Sequence, residues 1–176
     1  MATAYRSTRG EVPAARYARA APLDPRAPTA DDAAMAATSC TFCAIARGEI
    51  DAPIVHADDL TVAFLDHRPV FKGHTLLIPR AHVETFGDLT DELLEPVFSR
   101  ARTLARAVER GCGADGTFVA MNNRISQSVP HLHVHVVPRR RKDGLRGFFW
   151  PRTTYASPSE MAEYADAIRA AISQDA

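Results

Sequence analysis

The sequence has little of several features that mark specialised classes of protein. Its three cysteines, Cys40, Cys43 and Cys112, are too few and odd in number for a disulfide framework. Lys plus Arg and Asp plus Glu are equal at 21 each, so the total charge indicates neither a nucleic-acid nor a membrane partner. No apolar run approaches the roughly 20 residues that a bilayer-spanning helix needs, and no secretory leader is visible. These absences favour a cytoplasmic protein, in which a Cys-x-x-Cys pair indicates metal or redox chemistry.

The chain divides by composition into three segments. Residues 1–38 are rich in Ala, Arg, Pro, Ser and Thr and poor in bulky aliphatic residues, so we expect a disordered tail. Residues 39–141 carry the apolar periodicity of one folded domain. Residues 142–176 form a C-terminal extension with an aromatic stretch at 147–152 and a predicted helix.

Apolar periodicity within these segments predicts an α+β fold, a meander of strands with one long helix inserted. Pro96 lies inside the long helical pattern, where we expect a kink or a later helix start. The predicted strands are 54–56, 61–66, 74–79, 117–122 and 130–137, and the predicted helices are 42–47, about 90–111 and 159–173.

Three histidines alternate with aliphatic residues in the last predicted strand. His131, His133 and His135 would share one face of that strand, since successive side chains alternate between faces. The chain has only seven histidines, so three within five residues are poorly explained as the polar face of an ordinary strand. Two other hypotheses remain, a catalytic metal site and a nucleophilic histidine with flanking helpers.

The Cys-x-x-Cys pair suggests a second site. Cys40 and Cys43 have the spacing of zinc thiolates, and His82 and His131 could complete a Cys2His2 shell of the structural type. Two alternatives stay open, a pair of buried thiols beside ordinary histidines and a redox-active pair.

These motifs together resemble the histidine triad (HIT) family. Residues 127–139, Gln-Ser-Val-Pro-His-Leu-His-Val-His-Val-Val-Pro-Arg, match its His-φ-His-φ-His-φ-φ signature, in which φ is apolar. Residues 63–82, with Phe-Leu-Asp, Gly-His-Thr-Leu and Pro-Arg-Ala-His, resemble its first strand pair. Cys-Thr-Phe-Cys at 40–43 resembles the zinc half-site of many bacterial members. The resemblance covers roughly residues 39–139.

The resemblance implies the fold, the partners and the metal. It implies a HIT-like fold, a five-stranded antiparallel sheet with a long helix and a C-terminal helix, which continues across a homodimer. It implies a purine nucleotide substrate and neither a membrane nor a nucleic-acid partner. It also implies structural Zn²⁺ on Cys40, Cys43, His82 and His131, and no catalytic metal.

The resemblance further implies the reaction, cleavage at the α-phosphorus with release of a nucleoside monophosphate. His133 would attack phosphorus and form a nucleotidyl-histidine, and His135 would stabilise the developing charge. The other implied site residues are Gln127 and Ser128 at the phosphate and leaving group, Asp66 at the ribose, Phe42 and His67 at the base, and Asn123, or its neighbour Asn122, at the phosphate.

The substrate stays open between two branches of the family. Ser128 and the cysteine pair favour a nucleoside phosphoramidate, as in the Hint branch, whereas the basic run that begins at Arg139 favours a dinucleoside polyphosphate, as in the Fhit branch. Two further hypotheses are a regulatory nucleotide-binding module with weak catalysis and, less favoured, processing of adenylated nucleic-acid ends.

Overall fold

A five-stranded antiparallel sheet and four helices make up the part of the chain that the computed structural model describes, residues 30–145 and 154–172. The helices are α1 (Ala30–Ser39), α2 (Thr41–Arg47), α3 (Asp91–Cys112) and α4 (Pro158–Ile172), and a 3-10 turn spans Phe86–Asp88. The strands are β1 (Ile54–Ala57), β2 (Thr61–Leu65), β3 (Thr75–Pro79), β4 (Gly116–Ala120) and β5 (Val134–Arg139). These elements confirm the predicted α+β class and antiparallel sheet.

The order of the strands is β1-β2-β3-β5-β4. The first three strands form a meander, and the chain then crosses over through α3 and returns so that β5 pairs with both β3 and β4. The final strand therefore lies inside the sheet, and β1 and β4 are its two edges. This reversal of the last two strands is the one departure from a simple meander.

Each face of the sheet carries its own apolar core. On one face, the α3 face, Val97, Ala101, Leu104 and Val108 of the helix pack on residues such as Leu77 and Val136. On the other face, the α2 face, α2 packs over β2 and β3 only; its core contains Cys40, Phe42, Cys43, Ala46, Val62, Phe64, Leu76 and Ile78. Helix α2 therefore does not cover the part of this face that β5 and β4 form.

The histidine segment is less regular than the sequence predicts. Of the three triad histidines only His135 lies in a strand, because β5 begins at Val134. The pairing with β3 ends at Leu77 and Val134, since further along β3 the residue Pro79 has no amide hydrogen to donate. The carbonyl of Pro79 instead accepts a hydrogen bond from the His131 ring.

Two other predictions differ from the structure. The last part of the predicted tail contains α1, whose alanine-rich sequence has a high intrinsic helix propensity. Helix α3 begins at Asp91 and continues through Pro96, which excludes the later start, while the kink at Pro96 stays a prediction. The proline removes only one helical hydrogen bond, the one that its amide would make to the carbonyl of Glu92.

The described part of the chain ends with a C-terminal helix. The C-terminal helix α4 starts at Pro158, close to its predicted start, and belongs to a unit separate from the sheet. Residues 1–29 and the aromatic stretch at 147–152 lie outside the described residues. Within the described residues, no helix combines the length and apolar character needed to cross a membrane.

Candidate metal centre and active site

Two cysteines and two histidines meet beneath the first turn of α2, and we call Cys40, Cys43, His82 and His131 the Cys/His cluster. Cys40 occupies the N-cap of α2 and Cys43 lies in its first turn. The loop after β3 carries His82, and the segment before β5 carries His131. One potential ligand atom from each residue lies within 4.8 Å of the other three. The structure thus brings together all four residues that the sequence suggested.

The distances in the cluster fit a tetrahedral cation. Nδ1 of His131 lies 3.5 Å from Sγ of Cys40 and 3.4 Å from Sγ of Cys43, and Nδ1 of His82 lies 3.3 Å from Sγ of Cys43. Zinc bond lengths at tetrahedral angles place sulfur and nitrogen ligands about 3.6 Å apart. The cluster therefore has dimensions suited to zinc.

The chemical state of the cluster also suits a cation. Nε2 of His131 donates to the Pro79 carbonyl over 2.9 Å, so its Nδ1 lone pair faces both sulfur atoms. Burial lowers the pKa of His131 to about 4, which keeps the ring in the neutral form that binds metals. Burial, together with the neighbouring Cys40, raises the pKa of the Cys43 thiol to about 11. A thiolate in this environment therefore requires a cation beside it.

His133 is oriented by the backbone immediately before it. Its Nδ1 donates to the carbonyl oxygen of His131 over 2.6 Å, so Nε2 carries the lone pair. The ring is 3% exposed and makes an edge-on contact with Phe42, at a centroid distance of 5.2 Å. In the neutral ring, this orientation leaves Nε2 as the nitrogen that can attack an electrophile.

His135 ends a chain of hydrogen bonds that starts in the loop after β2. The Val70 amide donates to Nδ1 of His74 over 3.3 Å, so in the neutral ring Nε2 of His74 carries the proton. That Nε2 lies 2.9 Å from Nδ1 of His135 and donates to it. His135 then carries its own proton on Nε2, which is buried and without a hydrogen-bond partner in the described residues.

Burial favours the neutral forms of His74 and His135. Burial, reinforced by His133 and His74, lowers the pKa of His135 to about 4. Burial also lowers the pKa of His74, although Asp66, whose Oδ2 lies 3.3 Å from Nδ1 of His74, opposes that shift. The rings of His133 and His135 lie side by side, with ring centroids 4.8 Å apart.

A cavity of about 320 Å³ opens beside His135 on the half of the α2 face that α2 does not cover, and we call it the His135 cavity. Its polar lining includes Asp66, Arg68, His74, Asn122 and His135, and its apolar lining includes Val70, Phe118, Val137 and Leu145. A larger cavity, of about 530 Å³, borders Lys72, Cys112 and Arg140 but contains no histidine. Of these two cavities, the smaller one therefore adjoins His135 and His74.

The residues predicted to contact the phosphate lie in the loop between β4 and β5, and their side chains have different surroundings. Asn122 lines the His135 cavity, whereas the side-chain oxygen of Asn123 accepts the Phe86 amide hydrogen at 2.7 Å. The Gln127 side chain bridges two backbone groups, donating to the Glu84 carbonyl and accepting from the Arg124 amide. Ser128 is exposed. Gln127 and Asn123 thus hold the loop, and Asn122 is the asparagine that faces the cavity.

The residues predicted to contact the nucleoside lie in three different environments. Asp66 lines the His135 cavity and accepts the Arg68 amide hydrogen. Phe42 is 8% exposed and packs edge-on against Phe64, so both rings belong to the core. The His67 side chain is 88% exposed, with Nδ1 3.7 Å from Oδ1 of Asp66.

His74 is the functional candidate that the sequence analysis missed. It was noted only within the Gly-His-Thr-Leu motif and received no role. A signal was available, because a histidine at the start of an apolar strand needs a polar partner when it is buried. Its partner is His135, 61 residues further along the chain, so only the β3–β5 pairing reveals the contact.

Known proteins resemble this chain in sequence and in fold. The family model described as HIT domain matches residues 47–142. A protein of Bacillus subtilis called Protein hit is 39% identical over 111 residues, which cover 62% of this chain and 77% of that protein. An adenosine 5'-monophosphoramidase of Schizosaccharomyces pombe is 32% identical over 133 residues, covering 74% of this chain and 96% of that protein.

One of the similar solved structures is described as zinc-bound. A zinc-bound histidine triad family protein of Mycobacterium smegmatis superimposes with a TM-score of 0.58 at 32% identity. The match covers 74% of this chain and 99% of that one. The Cys/His cluster and this relative together support zinc binding by the present chain.

Proposed function

The chain belongs to the HIT family and resembles its nucleotide hydrolases, and from that premise we propose that it cleaves purine nucleotide conjugates at the α-phosphorus. The reaction releases a nucleoside monophosphate through a nucleotidyl-histidine intermediate on His133. The observation that carries the proposal is the pairing of Nε2 of His133 with Nε2 of His135, which has no hydrogen-bond partner among the described residues and lies beside a cavity.

The first step is in-line attack by Nε2 of His133 on the α-phosphorus. A nitrogen–phosphorus bond forms as the bond to the leaving group breaks. Nε2–H of His135 donates to the phosphoryl group as negative charge develops there, and His74 holds the donor in place. Water then hydrolyses the nucleotidyl-histidine, which frees His133 for another cycle.

The other contacts follow from the lining of the His135 cavity. Asn122 replaces Asn123 as the amide that contacts the phosphate, because Asn122 faces the cavity. Exposed Ser128 contacts the phosphate or leaving group, and Gln127 shapes the loop that carries it. Asp66 accepts hydrogen bonds from the ribose hydroxyls, and exposed His67 reaches the base.

The zinc in this scheme is structural. Four protein ligands close a tetrahedral shell and leave no open position for a substrate. Cys40, Cys43, His82 and His131 would hold the ion, and the ion would tie α2 to the loops before β5 and after β3. No step of the proposed reaction requires a metal.

A nucleoside phosphoramidate is the substrate class that the structure favours. Two cations of the basic run that would screen a polyphosphate make other contacts, the first being Arg139, which pairs with both carboxylate oxygens of Asp143. A second cation of the run, Arg140, donates to the Cys112 carbonyl. The Schizosaccharomyces pombe relative is named as a monophosphoramidase, which agrees with this choice.

A side-by-side assay tests the reaction and the substrate class. We expect AMP release from adenosine 5'-phosphoramidate to exceed that from diadenosine polyphosphates, and acid quenching to trap a nucleotidyl-enzyme. The reverse preference would favour the dinucleoside polyphosphate alternative. Inactivity on both substrates by a natively folded protein would sink the enzymatic proposal. A His133→Ala protein that keeps its cellular role would favour the alternative, a regulatory nucleotide-binding module.

We also propose a homodimer that forms through β4. This strand is an edge of the sheet, and edge strands present unpaired backbone groups to a partner. Nearby apolar side chains are exposed, with Val119 at 44% and Phe98 at 47%. Sedimentation should give a dimer, and Val119→Lys should shift it toward a monomer; a monomeric wild-type protein would contradict the proposal.

A further inference from the structure

We propose that the occupied Cys/His cluster positions the nucleophile, so that removing its metal weakens nucleotide binding in a protein that is still folded. This inference rests on the proposed function and adds a role to the proposed structural zinc. His131 and Phe42 act as positioning residues for His133, one through the backbone and the other through its ring.

The backbone connection is short and is held at each point. Both ring nitrogens of His131 are engaged, Nε2 by the Pro79 carbonyl and Nδ1 by the cluster. The carbonyl of the same residue accepts the hydrogen from Nδ1 of His133 over 2.6 Å. The intervening Leu132 is fully buried, and its amide donates to the Val83 carbonyl over 2.6 Å. A shift of His131 is therefore transmitted to the ring of His133.

The side-chain connection runs through the first turn of α2. Phe42 lies between Cys40 and Cys43 in sequence, so fixing the two sulfur atoms also fixes the Phe42 backbone. Its ring makes edge-on contacts with His131 and His133, at centroid distances of 6.0 and 5.2 Å. The cluster thus holds His133 from the α2 side as well as along the backbone.

The sheet does not hold His133 in the way that it holds His135. Regular pairing of β5 with β3 includes His135, opposite Leu76, and stops at Val134. His133 lies one residue beyond this ladder. The cluster therefore supplies, at the nucleophile, the restraint that backbone hydrogen bonds supply two residues later.

The test compares metal-loaded and metal-free protein in the full chain. Zinc is stripped from the wild type with a chelator and then restored, and His82→Ala provides a second route to a metal-free cluster. His82 suits this purpose because it is absent from the lining of the His135 cavity. Cys112→Ser is the matched control, since Cys112 lies outside the cluster.

Three measurements are made on each protein. Calorimetry measures AMP affinity, and nitrogen-15 NMR reports which ring nitrogen of His133 carries the proton. Hydrogen exchange of amides in α3 reports whether the fold persists. We expect metal-free protein to keep α3 protection, to bind AMP about 10- to 100-fold more weakly, and to lose the fixed Nδ1–H form of His133. Zinc should restore the wild type, and Cys112→Ser should match it throughout.

Two results would overturn the inference. One is unchanged AMP affinity and an unchanged His133 spectrum in protein shown to be metal-free. The other is loss of α3 protection together with affinity, which would reduce the cluster to a support for the whole fold. If metal-loaded wild type binds no AMP and cleaves no conjugate, the proposed function fails, while the spectrum of His133 still decides this inference.

Discussion

The two halves of the α2 face differ in what covers them. Over β2 and β3, α2 closes the face with a packed core and the Cys/His cluster. Over β5 and β4, the same face borders the His135 cavity. Burial lowers the pKa of a histidine to about 4 in each half, His131 in the closed one and His135 in the open one.

His131 and His135 differ in their hydrogen-bond partners. Both ring nitrogens of His131 face protein groups, whereas Nε2 of His135 faces none in the described residues. A neutral imidazole with both nitrogens engaged is suited to hold a metal or a structure. One with a free N–H beside a cavity is suited to meet a ligand. Four predictions test this division, from the largest expected effect to the smallest.

Replacing His133 should have the largest effect, because this residue stands at the boundary of the two halves and is the proposed nucleophile. We expect His133→Ala to lower kcat on the order of 10⁴-fold or more, the scale seen when a nucleophile is removed. Steady-state kinetics and acid-quench trapping measure the loss. Native circular dichroism is the control, and a covalent adduct formed on a different residue would contradict the assignment.

Replacing His135 should test the open half directly. We expect His135→Ala to lower kcat by about 10²- to 10³-fold, because it removes one hydrogen-bond donor from the developing phosphoryl charge. Covalent trapping should still label His133 in this variant, although more slowly. A large rise in KM with unchanged kcat would instead assign His135 to ground-state binding.

Replacing His74 should have a smaller effect, because it acts through His135. We expect His74→Ala to lower kcat about 10- to 100-fold with little change in KM, as when a supporting partner is lost. His74→Gln should recover part of the activity, since its amide N–H can donate to Nδ1 of His135. Equal activity of the alanine and glutamine variants would argue against positioning by this hydrogen bond.

The pH dependence of stability should show the smallest effect. Because the pKa of His135 is lowered on folding, the unfolded chain binds more protons between about pH 4 and 6.5. The free energy of unfolding should therefore fall as the pH falls through this window, by at most about 1.4 kcal/mol per unit from this group.

Urea denaturation of wild type and His135→Gln across this pH range isolates that contribution. Both proteins share the Cys/His cluster, so acid release of metal cancels in the comparison. We expect a shallower slope for the variant. Parallel slopes would mean that His135 takes up its proton as readily in the folded as in the unfolded state.

Local sequence patterns predicted most of the elements but not their arrangement. The periodicity of apolar residues located five strands and the long helix α3 to within a few residues. The insertion of β5 between β3 and β4 has no local signal, because it depends on how the crossover through α3 returns to the sheet. The end of β5 pairing at Val134 likewise depends on Pro79, a residue of another strand.

The candidate site shows the same division between local and distant information. The cluster cysteines and the triad histidines were predicted as site residues from the sequence, because their spacing alone identifies them. Local sequence did not distinguish Asn122 from Asn123, whose side chains have different surroundings: Asn122 lines the cavity, and Asn123 accepts the Phe86 amide hydrogen. Nor did it give a role to His74, which depends on a contact with His135.

The sequence by itself determined which chemical groups are available, because imidazoles, thiols and an apolar period of two are properties of residue type and order. The tertiary structure decided how that chemistry is distributed. The position of α2 over one half of the sheet buries His131 among sulfur atoms and leaves His135 beside a cavity. His131 and His135 differ because of the groups that the fold places around them, not because of the histidine side chains themselves.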